Sequence, residues 1–173
     1  TPESLFYDPG YCTVYGKRVN NFDTSSPFGT LSLHDALTYS VNSVFCNIGK
    51  RLGAKRILDT AKRFGFYERP PLETPTDERF PSGLYRNGQL FYPKVDANVD
   101  AGRMAFGQER MLVTALQNAM VAGAIGFEGR LMEPHVVDRI VGPGGKVIEK
   151  QEPRLIRRAV SEKTADAVAE MMR

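Results

Sequence analysis

Apolar residues recur every three to four positions along several stretches of the chain, and each such stretch predicts a helix. Ser32 stands where an N-cap belongs, with Asp35 three residues on, ahead of a sparse apolar face of Leu33, Ala36 and Leu37. Val44, Phe45, Ile48 and Leu52 line a second helix, which Gly53 can end in the left-handed conformation. Ala54, Ile57, Leu58, Ala61 and Phe64 stripe a third, with Lys55, Arg56, Asp59, Lys62 and Arg63 toward water and Gly65 as its stop. From Leu112 to Phe127, residues such as Leu116, Ala119, Met120, Ala122 and Ile125 leave little polar surface. That predicts a helix packed on most sides, opened by a Thr114/Gln117 capping box. Ser161 caps a last helix with Ala165, Val168, Ala169 and Met172 on one face.

The strand signals are weaker. Tyr11 to Tyr15 is a short β-branched and aromatic run between the turns Asp8-Pro9-Gly10 and Gly16-Lys17. Asn20 to Asp23 and Ser25-Ser26-Pro27 read as loop, so residues 1–29 as a whole read as a surface connector with one strand. Residues 66–108 form a long, proline-rich stretch of little periodicity, and its carboxylates Asp77, Glu78 and Asp96 show no spacing that pairs two for acid–base work. Leu131 to Val141 and Lys146 to Glu149 flank Gly142-Pro143-Gly144-Gly145, which predicts a β-hairpin over 129–150. That glycine-rich turn has no Gly-Lys-Ser/Thr and no helix after it, so it is not a phosphate loop. Residues 154–173 read as a linker and the last helix.

Composition narrows the classes. The 173 residues are 42% hydrophobic and 25% charged, enough for one core in an ordinary globular domain. Twenty-three basic against 20 acidic residues give a net charge of +3, too even to argue for nucleic acid. No apolar run is long enough for a membrane span. Two histidines, His34 and His135, lie far apart and read as structural, and without a C-x-x-C motif nothing points to a metal or a cofactor. Cys12 and Cys46 are the only cysteines, and their spacing leaves open either a disulfide in an oxidising compartment or buried free thiols.

The candidate chemistry lies at the junction of the first two helices, Ser40-Val41-Asn42. Helix capping by itself accounts for Ser and Asn at such a point. The frame adds more: a Leu-x-x-Ala-Leu helix, Ser-x-Asn, and a helix ending Leu-Gly. This arrangement resembles the second active-site motif of penicillin-binding proteins, whose set is S-x-x-K, S-D-N and K-T-G. Further segments resemble the family in order. They are Asp8-Pro9-Gly10 with Asn21-Phe22, Ala105 to Glu109 with Leu112 to Gln117, and Gly129 to Val137. Ala115 stands where the family often has Pro.

The resemblance, to class B penicillin-binding proteins, implies the following. The fold would be mainly α with a small β component, the helical lobe (30–128) of a mixed α/β, serine β-lactamase-like transpeptidase domain. The chain holds neither S-x-x-K nor K-T-G, so it resembles the segment between them, a partial domain of a longer polypeptide that is inactive alone. The parent would cross-link peptidoglycan stem peptides through a serine acyl-enzyme and bind β-lactams, with no cofactor, anchored at the outer face of the bacterial cytoplasmic membrane beside other cell-wall synthesis proteins. Ser40 would join a proton-transfer network with the absent lysine, Asn42 would hold the substrate amide, and Gly107 and Gln108 would line the substrate. Three alternatives stand beside this reading: a β-lactamase, disfavoured because no Glu-x-x-x-Asn loop follows the motif, a β-lactam-sensing domain, and a non-catalytic scaffold.

Overall fold

The computed structural model describes residues 1–23, 26–93 and 99–173. Ser25 and Asp96, singled out in the sequence, lie outside the described residues. The chain begins with two antiparallel pairs. β1 (Leu5–Asp8) pairs with β4 (Gly29–Ser32), setting Phe6 opposite Leu31, and β2 (Tyr11–Val14) pairs with β3 (Lys17–Asn20). Residues 1–29 are therefore not a surface connector: Cys12, Val14, Asp8 and Asn21 are buried. The turns were legible, but strands of four residues are too short for alternation to announce them.

Next come α1 (Leu33–Thr38) and α2 (Asn42–Arg63). Ser32 caps α1 as expected, its hydroxyl accepting from the Asp35 N–H at 3.0 Å. Gly53 breaks α2, but in an extended positive-φ conformation (φ 76°, ψ 157°) rather than the left-handed helical one. That region is open essentially to glycine alone. The helix resumes at an angle, burying Ala54 and Leu58 but leaving Leu52 43% exposed.

The stretch 66–108 is less irregular than its sequence suggests. It carries β5 (Gly83–Arg86), β6 (Gln89–Leu90) and α3 (Ala101–Ala105), and β5 also pairs with β7 (Met111–Leu112). Leu84, Val99 and Met104 from this stretch form a core cluster with Ala54 and Leu58 of α2. Asp77 and Glu78 sit in a short 3-10 turn.

Helix α4 (Ala115–Gly126) starts later than its apolar run, because Met111–Leu112 is strand. It is not packed on most sides. Gln117, Met120 and Ala124 are buried, whereas Ala115, Ala119, Ala122 and Gly123 are exposed. The capping box is half formed. The Thr114 hydroxyl accepts from the Gln117 N–H, but the Gln117 side chain turns inward and donates to the Phe64 carbonyl at 2.7 Å.

The predicted hairpin is present as β9 (Arg139–Val141) and β10 (Val147–Lys150). The strand expected over 131–141 is interrupted, and its first part, β8 (Arg130–Met132), pairs with β11 (Leu155–Arg158), a strand where the sequence predicts linker. Helix α5 (Glu162–Met171), capped by Ser161, packs on α4. Eleven strands of two to four residues thus accompany five α-helices among the described residues, in four two-stranded sheets and one of three strands. The expectation of a mainly α chain with a small β component is not met: the architecture is mixed, with helices joined by small ribbons.

Helices α2 and α3 pack closely against each other. A Cβ on Gly49 would meet the Ala101 carbonyl oxygen and lie 2.6 Å from the Ala105 Cβ. Gly49→Ala should destabilise the protein by about 1–3 kcal/mol through overpacking, outweighing the ~1 kcal/mol that Ala gains over Gly in helix propensity. Denaturant unfolding of the two proteins measures the difference, and an unchanged midpoint contradicts it.

Candidate functional site

Ser40, Val41 and Asn42 divide three local tasks. The Ser40 N–H donates to the Leu37 carbonyl (3.0 Å) and the Val41 N–H to the Ala36 carbonyl (2.9 Å). These are the two bonds of a Schellman motif ending α1, with Ser40 at the left-handed position usually given to glycine. Its φ is 51°, at a cost of roughly 1–2 kcal/mol for an L-residue. Val41 supplies the apolar contact of that motif: it is 1% exposed and packs with Ala36, Leu31 and Val44. Val41 is also the N-cap of α2, and makes no side-chain cap bond. Neither the Ser40 nor the Asn42 side chain therefore caps a helix. Ser40 is exposed on the surface, and no hydrogen bond to its hydroxyl occurs among the described residues. Asn42, in the first turn, donates from Nδ2 to the Asn20 carbonyl at 3.1 Å.

The missing cap comes from elsewhere in the chain. Asn21 Oδ1 accepts the Ser43 N–H at 3.0 Å, across 22 residues. Asn21 Nδ2 in turn donates to both carboxylate oxygens of Asp8, at 2.9 Å each. Asp8, 0% exposed, also accepts from the Gly10 N–H (2.7 Å), the Phe28 N–H (3.0 Å) and the Ser43 hydroxyl (2.5 Å). Burial works to raise its pKa, but the donated hydrogen bonds prevail and hold it below its ordinary value. The charge also sits near the N-terminus of α2, where the helix dipole favours an anion.

The sequence missed Asp8, Asn21 and Ser43. Asp8-Pro9-Gly10 signals a turn, and the Gly10 N–H to Asp8 contact is that turn's side-chain bond. Nothing local signals that the same carboxylate reaches Ser43, 35 residues away. One turn beyond Asn42, Cys46 is disulfide-bonded to Cys12 of β2, with Cα atoms 6.3 Å apart. Closing a loop of 34 residues contributes about 3–4 kcal/mol in the chain-entropy account.

Gly107 and Gln108 follow α3, whose N-cap Asp100 accepts the Arg103 N–H at 2.9 Å. Gly107 has φ 79°, and the Gln108 N–H donates to the Arg103 carbonyl at 2.9 Å. Both residues are exposed, and no hydrogen bond joins them to Ser40 or Asn42 among the described residues. Next to them, burial raises the Glu109 carboxyl, with Arg110 opposing the shift and Asp100 adding to it.

Residues 1–173 match the penicillin binding protein transpeptidase domain throughout. The chain belongs to the penicillin-binding protein transpeptidase family. The peptidoglycan D,D-transpeptidase PbpA of Mycolicibacterium smegmatis is 32% identical over 146 residues, which are 84% of this chain and 28% of that protein. The peptidoglycan D,D-transpeptidase MrdA of Haemophilus influenzae is 26% identical over 90% of this chain and 24% of its own length. Penicillin-binding protein A of Mycobacterium tuberculosis, solved as its penicillin G acyl-enzyme complex, superposes with a TM-score of 0.80 at 28% identity, covering 99% of this chain and 38% of that one. The chain thus spans about a quarter of the length of the curated transpeptidases it matches. Ser40-Val41-Asn42 joins two helices through a buried apolar middle residue. Among the described residues no helix is long and apolar enough to cross a membrane.

The lowered Asp8 pKa makes a signed prediction. A carboxyl depressed by folding contributes stability in full above its ordinary value of 3.8 and loses it as pH falls through the folded value. The melting temperature should therefore drop, as pH falls below about 4, more steeply for the parent protein than for Asp8→Asn, which lacks this proton linkage. Equal slopes contradict the assignment.

Proposed function

We propose that this chain forms one wall of a serine acyl-transfer site in a peptidoglycan D,D-transpeptidase. The observation that carries the reading is the Ser40–Asn42 junction: two short polar side chains on a rigid helix corner, neither used to cap a helix. Whole-length family membership, relatives named as peptidoglycan D,D-transpeptidases and a solved relative acylated by penicillin G support it.

The chemistry divides between these residues and others outside them. A serine of an S-x-x-K motif, absent from this chain, attacks the carbonyl of the D-Ala–D-Ala bond of a stem peptide. The C–N bond breaks, the terminal D-Ala leaves as its amine with the serine's proton, and an ester links enzyme and donor. The amine of a neighbouring stem then attacks the ester, releases the serine and completes the cross-link. A β-lactam follows the first half of this path and stays as the ester. Ser40 passes protons within the network of the S-x-x-K lysine. Asn42 hydrogen-bonds the donor's amide and orients that lysine, a task that needs a fixed support. Gly107 and Gln108 border the substrate. Residues 1–173 by themselves supply no nucleophile with a base beside it and react with neither ligand.

The Cys12–Cys46 disulfide supports an extracytoplasmic location, where such bonds persist. The proposed setting is the outer face of the cytoplasmic membrane, among other cell-wall synthesis proteins. The test is covalent labelling by a fluorescent penicillin. Protein extended through S-x-x-K and K-T-G should label, Asn42→Ala should slow labelling by about 10²–10³-fold, and residues 1–173 alone should not label. Labelling of the short chain, or none of the extended one, contradicts the reading.

A further inference from the structure

We infer that Asp8 and Asn21 are positioning residues for the acyl-transfer site, acting on Asn42 through the first turn of α2. The inference rests on the transpeptidase reading above and deepens it. Four observations carry it. First, α2 opens without a side-chain cap of its own, because Val41 has no oxygen to offer. A first turn without partners frays, and a side chain mounted on it wanders. Second, Asn21 supplies the cap in trans through Oδ1 to the Ser43 N–H.

Third, the Asn21 amide can point only one way. Its NH2 faces both oxygens of the Asp8 carboxylate, so its carbonyl must face Ser43. Asp8 fixes Ser43 a second time through the hydroxyl. Fourth, the backbone that carries Asn21 also holds Asn42 directly, since the Asn20 carbonyl accepts from Asn42 Nδ2. Asn20 and Asn21 thus form a seat on which the consecutive residues Asn42 and Ser43 rest, and Asp8 is the anchor beneath it.

Stability alone does not call for such an arrangement. Removing a carboxylate from water is costly, and apolar packing of similar volume often stabilises as well or better. What a fully bonded buried charge adds is register: its donors must sit at fixed points or the charge is left unpaired. Here the register being fixed is that of the helix turn bearing Asn42.

The test uses the full-length protein with all three motifs and penicillin G, in single-turnover acylation over a range of concentrations. This separates the acylation rate constant from the non-covalent dissociation constant. Variants are Asn21→Ala, Ser43→Ala and the double, each studied well below its melting temperature. Leu131→Ala, in a separate core cluster, is the control for lost stability. Asn21→Ala and Ser43→Ala should each lower the acylation rate constant by about tenfold or more, as sub-ångström to ångström misplacement does. The dissociation constant should change little. The double variant should be no slower than the worse single one, because both act through one seat. Leu131→Ala should melt earlier yet acylate at the parent rate. If folded Asn21→Ala and Ser43→Ala acylate at the parent rate, or slow only as Leu131→Ala does, the network is structural and the inference fails by itself. If the parent protein is not acylated at all, the transpeptidase reading fails and the inference falls with it.

Discussion

The bond between the Asp8 carboxylate and the first turn of α2 is the constraint on which the start of this fold depends. It joins the opening ribbons to the start of α2. Through Gly10 and Phe28 the carboxylate closes the loops after β1 and before β4, and through Asn21 it fixes the exit from β3. Through Ser43 it locates α2. The Cys12–Cys46 disulfide pins the same two layers about one helical turn further on. The mouth of α2 is therefore tied twice, once by a buried charge and once covalently.

The Ser-x-Asn junction gains its shape from two helix ends that share three residues. Ser40 closes α1 in a left-handed conformation, Val41 is buried between the helices, and Asn42 opens α2. A glycine at position 40 would relieve the backbone but would remove the hydroxyl. Strain kept where a less strained residue was available is common at functional sites. The middle residue of the motif faces the core, which is why an apolar valine suits it here.

Much of this was legible in the sequence, and the rest was hidden for identifiable reasons. Helices with caps and a clear apolar stripe were readable: Ser32 before α1, Thr114 before α4 and Ser161 before α5 all cap as their spacing indicates. Ser40-Val41-Asn42 was readable as a junction between two helices, which is where it lies. The strands were not, since four residues cannot display a period, and β5, β6 and β7 interrupt a stretch dominated by prolines. Gln117 shows a second kind of limit. Its spacing from Thr114 fits a capping box, but the Phe64 carbonyl is a better partner once the chain has folded. Asp8 shows a third, because a turn-forming aspartate and a buried anchor look identical until the residues 13 and 35 positions away arrive.

The central claim, that a side chain from the opening ribbons holds the first turn of α2, is tested most directly by amide hydrogen exchange at Ser43 in the intact protein. A helix start capped by a buried Asn21 should exchange at Ser43 only through large-scale opening, orders of magnitude more slowly than a frayed terminus. Substituting Asn21 by Ala should return that one amide to fast exchange while the amides deeper in α2 stay protected. Fast exchange at Ser43 in the parent protein, or protection that survives the loss of Asn21, would contradict the account.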